Sequence, residues 1–144
     1  MKRLWILALL VLSILMLSST PVPASENVLK VKPRTVNFGR TPVGEVPIAS
    51  TTVTNNSSQT IHLTIWATKD WDDFSYGLLP GSTCLTSDPA PLAPGESCVF
   101  VVRFWPSSDF IGLKQDQIFL ATATDPTTGA VLDADRFVFY GRAA

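Results

Sequence analysis

The stretch Leu92–Pro106, LAPGESCVFVVRFWP, constrains the fold more than any other part of the chain. Ala93-Pro94-Gly95-Glu96 has the chemistry of a type II turn: proline sets φ at the second position and glycine accepts positive φ at the third. A β-branched and aromatic run follows. Cys98, Phe100, Val102 and Phe104 fall on one face of an extended strand, and Ser97, Val99, Val101, Arg103 and Trp105 on the other. An unpaired guanidinium is costly in a core, so Arg103 marks the less buried face. Pro106 cannot donate to a ladder and ends the strand.

The same grammar runs through the chain from residue 25 onward. Short β-branched and aromatic runs alternate with Gly, Pro, Asn, Asp and Ser clusters, and no long segment has helical periodicity. Strands are expected at Val28–Val31, Thr35–Gly39, Val46–Asn55, Thr60–Thr68, Asp116–Thr124 and Asp135–Tyr140, with a short extended piece near Phe74–Leu79. Thr60–Thr68 alternates most cleanly, with Ile61, Leu63, Ile65 and Ala67 on one side and His62, Thr64, Trp66 and Thr68 on the other. One buried and one wetter face is what an antiparallel sandwich strand requires. Asn55-Asn56-Ser57-Ser58 and Asp125-Pro126-Thr127-Thr128-Gly129 supply turns, and Gly141 is read as releasing the chain into a short polar tail. The expected fold class is all-β: a single immunoglobulin-like antiparallel β-sandwich of seven to eight strands, residues 25–144.

Residues 1–24 read differently. A basic start (Lys2, Arg3), an apolar run from Leu4 to Leu17 and small residues at Val22 and Ala24 match a signal peptide cleaved after Ala24. The run is shorter than the ~20 residues that span a bilayer, so a retained anchor is the weaker reading and no membrane span is expected after cleavage. Export places the protein in the periplasm, at the cell surface or outside the cell. There the only two cysteines, Cys84 and Cys98, are expected to form a structural disulfide. A Cys-x-x-Cys redox pair is excluded by spacing, and a zinc site by the supply of ligands.

Removing residues 1–24 takes Lys2 and Arg3 from the 11 basic residues, leaving 9 against 12 acidic ones and a formal charge of −3. That balance argues against a nucleic-acid surface, which needs clustered cations. Candidate chemistry is sparse. His62 is the one histidine, on the wetter face of its strand, and nothing resembles Gly-x-Ser-x-Gly, so no catalytic residues are assigned. Asp70, Asp72 and Asp73 lack the Asp-x-Asp-x-Asp-Gly spacing of a calcium loop and read as a solvated acidic loop. No metal or other cofactor is expected. Trp66, Trp71, Arg103 and Trp105 form the candidate partner surface, because Trp and Arg are enriched at binding hot spots. The rival reading is that the tryptophans pack beneath loops.

An ordered set of pieces resembles a known family. They are Pro33 through Phe38-Gly39 with Val43-Gly44, the strand ending Asn55-Asn56-Ser57-Ser58, and Asp73-Phe74-Ser75. Cys84 with Leu92–Cys98, Phe104-Trp105-Pro106 with Gly112, and Phe139-Tyr140-Gly141 complete it. In this order they resemble the immunoglobulin-like domains of the abnormal-spindle/Hydin (ASH) group and of bacterial choice-of-anchor D proteins. The resemblance implies a sandwich related to major sperm protein and fimbrial chaperone folds, acting as a binding or structural module without shared catalytic residues.

The expected function is therefore an exported, non-catalytic, monomeric module with a protein partner or a structural role. Two alternatives stand beside it. One is a surface-fibre subunit or accessory factor acting by β-strand addition, with Lys30, Lys32 and Pro33 protecting the first edge. The other is a carbohydrate-binding domain using the tryptophans.

Overall fold

A computed structural model describes residues 27–144. The signal peptide expected at 1–24 lies outside the described residues. Nine strands form two facing sheets: β1 Leu29–Lys32, β2 Thr35–Thr41, β3 Ile48–Asn55, β4 Ile61–Lys69, β5 Phe74–Tyr76, β6 Ala90–Leu92, β7 Ser97–Phe104, β8 Lys114–Thr124 and β9 Val131–Ala143. A single 3-10 turn spans Ser108–Phe110. One sheet has the order β1-β3-β7-β5 and the other β2-β9-β8-β4-β6. This is the immunoglobulin-like β-sandwich expected from the alternation.

The inward faces follow the sequence pattern. Phe100, Val102 and Phe104 from β7 meet Ile61 and Leu63 from β4, Phe119 and Ala121 from β8, and Phe137 and Phe139 from β9, all buried. Aromatic rings dominate this interior. Phe119 stacks on Phe137 at 5.3 Å, Phe100 meets Phe119 edge-on at 4.9 Å, and Phe74 stacks on Phe104 at 4.7 Å. Such pairs add specific geometry to a large apolar burial.

The Leu92–Pro106 unit folds as read. Gly95 has φ of 74°, and Glu96 N donates to Ala93 O at 3.0 Å, closing the turn. Cys84 and Cys98 are joined by a disulfide, and both are buried. The bridge ties the loop before β6 to the first turn of β7.

Four expectations need correction. The sandwich is not wholly antiparallel, because β2 pairs parallel to β9. The extended chain from Leu29 to Thr41 pairs first with β3 and then crosses to the other sheet, so its second half meets β9 running the same way. The segment before Pro94 contains a further strand, β6, whose three residues hold no alternation long enough to read. Gly141 is not the start of a tail: β9 runs to Ala143, and Gly141 is a buried position within it. The face of β7 opposite the core is also partly covered. Val101 is buried, since the loop at Gly81 lies over it: a β-carbon at Gly81 would sit 3.8 Å from Val101 Cγ2.

Candidate functional site

The four residues singled out from the sequence do not form one surface. Trp66 lies on the outer face of β4, in the five-stranded sheet, and is 60% exposed. Arg103 lies near the end of β7, in the four-stranded sheet, and Trp105 just beyond it, with the Arg103 guanidinium 6.0 Å from the Trp105 ring. Trp105 is 56% exposed and borders a shallow groove with Val43, Asp72, Ser75 and Ser107. Trp71 sits differently from these three. It is half-buried against the core margin, meets Phe110 edge-on at 5.5 Å, and carries Lys69 Nζ 5.7 Å above its ring. Its backbone N–H donates to Gln117 Oε1 at 2.9 Å. Trp71 therefore anchors the β4–β5 crossover.

The acidic loop divides in the same way. Asp73 is buried; its Oδ2 accepts from Gln115 Nε2 at 2.7 Å and from Ser107 N at 3.1 Å. Its backbone carbonyl accepts from Trp105 N. This corrects the reading of Asp73 as a solvated residue: it pins the Pro106 corner to β5 and β8. Asp70 accepts from the Tyr76 hydroxyl at 3.0 Å. Burial pushes the Tyr76 pKa up, and the hydrogen bond to Asp70 and its charge add to the rise.

The surface with the clearest capacity for chemistry is the open edge of β4. Strand β6 pairs only with Ile61–Leu63. Beyond Leu63, β4 is paired on its β8 side alone. Pro91 stands opposite His62 and has no N–H to donate. Hydrogen bonding toward β6 thus belongs to Ile61 and Leu63, and by alternation Ile65 and Ala67 turn their backbone groups to the open edge. Lys69 and the register shift between Ala67 and Lys69 close that edge at its far end. Beside it lies a cavity of about 490 Å³ lined by Thr64, Ile65, Trp66, Asp88, Thr122 and Val131. Trp66 was legible as an outward aromatic; the open edge was not, since it depends on where β6 stops.

His62 is on the outer face of β4, half-buried between its cross-strand partners Pro91 and Thr124. Among the described residues no helix is long and apolar enough to cross a membrane.

Comparison with solved structures identifies the architecture. The ASH/PapD-like domain of human CEP192 (PapD-like domain 7) superposes with a TM-score of 0.66 at 10% identity, over 84% of this chain and 88% of that one. This is the ASH/PapD-like fold. The Vibrio cholerae VesB protease matches with a TM-score of 0.57 at 23% identity, over 81% of this chain and 32% of that one. The YadV chaperone matches with a TM-score of 0.57 at 9% identity, over 81% and 52%. The chain thus spans about a third of the VesB chain and about half of the YadV chain. At these identities the ASH/PapD-like likeness is one of fold. No family model matches the chain, and no curated protein sequence matches it.

Proposed function

We propose that the mature chain, from residue 25, is an exported, non-catalytic protein-binding module that takes an extended segment of its partner as an added strand on β4. The observation that carries this reading is the half-paired β4: from Thr64 to Ala67 it has one neighbour, with the exposed Trp66 beside the open edge. Unpaired backbone groups of an edge supply affinity in strand addition, and adjacent side-chain pockets supply selectivity. The YadV chaperone shares the ASH/PapD-like fold, which supports a protein partner. Export rests on the pattern of residues 1–24 and on the Cys84–Cys98 bridge.

The test is site-specific photo-cross-linking of the native exported chain. A probe at Thr64 is expected to capture a partner, and Ala67→Pro, which removes an outward N–H, to abolish capture while the fold melts cooperatively. Capture at Lys32 or Trp105 with none at Thr64 would overturn the site. A second reading is favoured by the same cavity, which Trp66 lines together with Thr64, Thr122 and Asp88, residue types that serve in sugar binding. Saccharide-dependent quenching that disappears in Trp66→Ser would select it. A fibre subunit would instead self-associate through strand exchange, visible as concentration-dependent mass in sedimentation.

A further inference from the structure

The outer face of the five-stranded sheet carries a row of three cations on three adjacent strands. Arg40 of β2 is the register partner of Arg142 of β9, and Arg142 is the register partner of Lys114 of β8. Directly paired residues share a face, and like charges so placed repel. The row depends on a bulge. Between Asn37 and Arg40 the β2 register shifts by one residue at Gly39, whose φ is 71° and whose N–H donates to Asn37 Oδ1 at 2.8 Å. Phe38 points into the core, stacked on Phe104. Without the extra residue, strict alternation would send Arg40 inward as well. The bulge turns it out beside Arg142.

Only one of the three charges is answered. Lys114 Nζ lies 2.9 Å from Asp116 Oδ1 and 4.4 Å from the Tyr140 ring centroid. Arg40 and Arg142 take part in no ion pair among the described residues. The three cations border a cavity of about 250 Å³ whose other lining includes Gly39, Tyr140 and Gly141, and no carboxylate lines it. That space exceeds many-fold the ~10–15 Å³ needed to hold one water, leaving room for a polyatomic anion.

We propose that Arg40, Arg142 and Lys114 form a binding site for a doubly charged phosphate group. Asp116 offsets one charge, which leaves two positive charges for a dianion. Paired guanidinium forks match the tetrahedral oxygens of phosphate in number and direction. Strands ~4.8 Å apart bring the three long side chains within reach of one compact group. A free phosphate monoester and a lipid headgroup of the same chemistry would both fit.

The test uses the mature chain at constant ionic strength. Inorganic phosphate is titrated against chloride while backbone amide shifts and the melting temperature are followed. Saturable shifts centred on Arg40, Tyr140 and Arg142, with a rise in melting temperature, are expected. Arg40→Gln and Arg142→Gln should each weaken binding at least tenfold, and without phosphate melt no lower than the parent, since each relieves repulsion. Lys30→Gln with Lys32→Gln removes an exposed basic pair on the other sheet and should leave binding unchanged. Equal loss in that control, or phosphate stabilisation that survives Arg142→Gln, would overturn the proposal, as would a titration that never saturates. Vesicles holding phosphatidic acid, compared with vesicles of phosphatidylcholine alone, separate the two sources. Selective, Arg142-dependent sedimentation assigns a lipid headgroup. Phosphate binding without it assigns a soluble ligand.

Discussion

Gly141 leaves room for the ring of Phe104: a β-carbon at Gly141 would lie 2.6 Å from Phe104 Cε1 and 2.9 Å from Cδ1. The contact joins the two sheets, since Gly141 belongs to β9 and Phe104 to β7. Phe104 is fully buried and stacked on both Phe74 and Phe38, so its ring has little freedom to retreat. Gly141→Ala should therefore cost about 1–3 kcal/mol through overpacking. Pairing it with Phe104→Leu should recover part of that loss. Additive losses in the double-mutant cycle would show that the two sites do not share the strain.

Asn55 holds two turns and both sheets with one side chain. Its Nδ2 donates to Gln59 O at 2.8 Å and to Leu92 O at 2.9 Å, while its Oδ1 accepts from Ser57 N and Ser57 Oγ. Asn55 is fully buried, so Asn55→Ala leaves polar groups without partners and should cost about 2–3 kcal/mol. Chemical denaturation of the two proteins measures it.

The disulfide closes a loop between positions 14 residues apart. In the chain-entropy account a loop of this size is worth about 3 kcal/mol. The Cys84→Ala, Cys98→Ala double variant should lose about that much stability, again by denaturation. A loss near zero would mean that the Val99–Thr83 hydrogen bonds already hold the loop in place.

Asp125 gives the hairpin between β8 and β9 a pH dependence. The backbone N–H groups of Thr128 and Thr127 donate to its Oδ1 at 2.9 and 2.8 Å and hold its pKa below the ordinary carboxylate value. A pKa lowered in the folded state stabilises above the unfolded value, near 4, and that contribution fades as pH falls through the folded value. Asp125→Ala should thus lower the melting temperature by a constant amount above roughly pH 5 and by less below roughly pH 4. A difference still undiminished at pH 2 would mean the charge plays no part.

The tryptophans should separate by role. Trp66→Ser and Trp105→Ser remove exposed rings and should change stability by less than about 0.5 kcal/mol. Trp71→Ala removes a ring packed on Phe110 and the core margin, and should cost about 2–3 kcal/mol. Thermal melts of the three variants check the ranking.

How much of this was legible depended on the range of the interaction. Alternation in Thr60–Thr68 and Ser97–Trp105 placed Ile61, Leu63, Phe100, Val102 and Phe104 in the core, because side-chain direction in a strand is a local property of the backbone. The Pro94-Gly95 turn and the Asp125–Gly129 hairpin were equally local. Asp73 escapes a local reading because its neighbours Asp70 and Asp72 suggest solvent, while its partners Gln115 and Ser107 come from more than 30 residues away.

The longer strands, apart from their ends, the turn chemistry, the core faces and the Cys84–Cys98 pairing were thus determined by the sequence itself, through periodicity, glycine and proline geometry, and the count of thiols. Tertiary structure alone decided that β2 runs parallel to β9, that β6 stops short of Trp66, and that a bulge at Gly39 lines up Arg40 with Arg142 and Lys114. Those are matters of register between strands distant in the chain. One residue of slip exchanges inside for outside, and no local pattern records it.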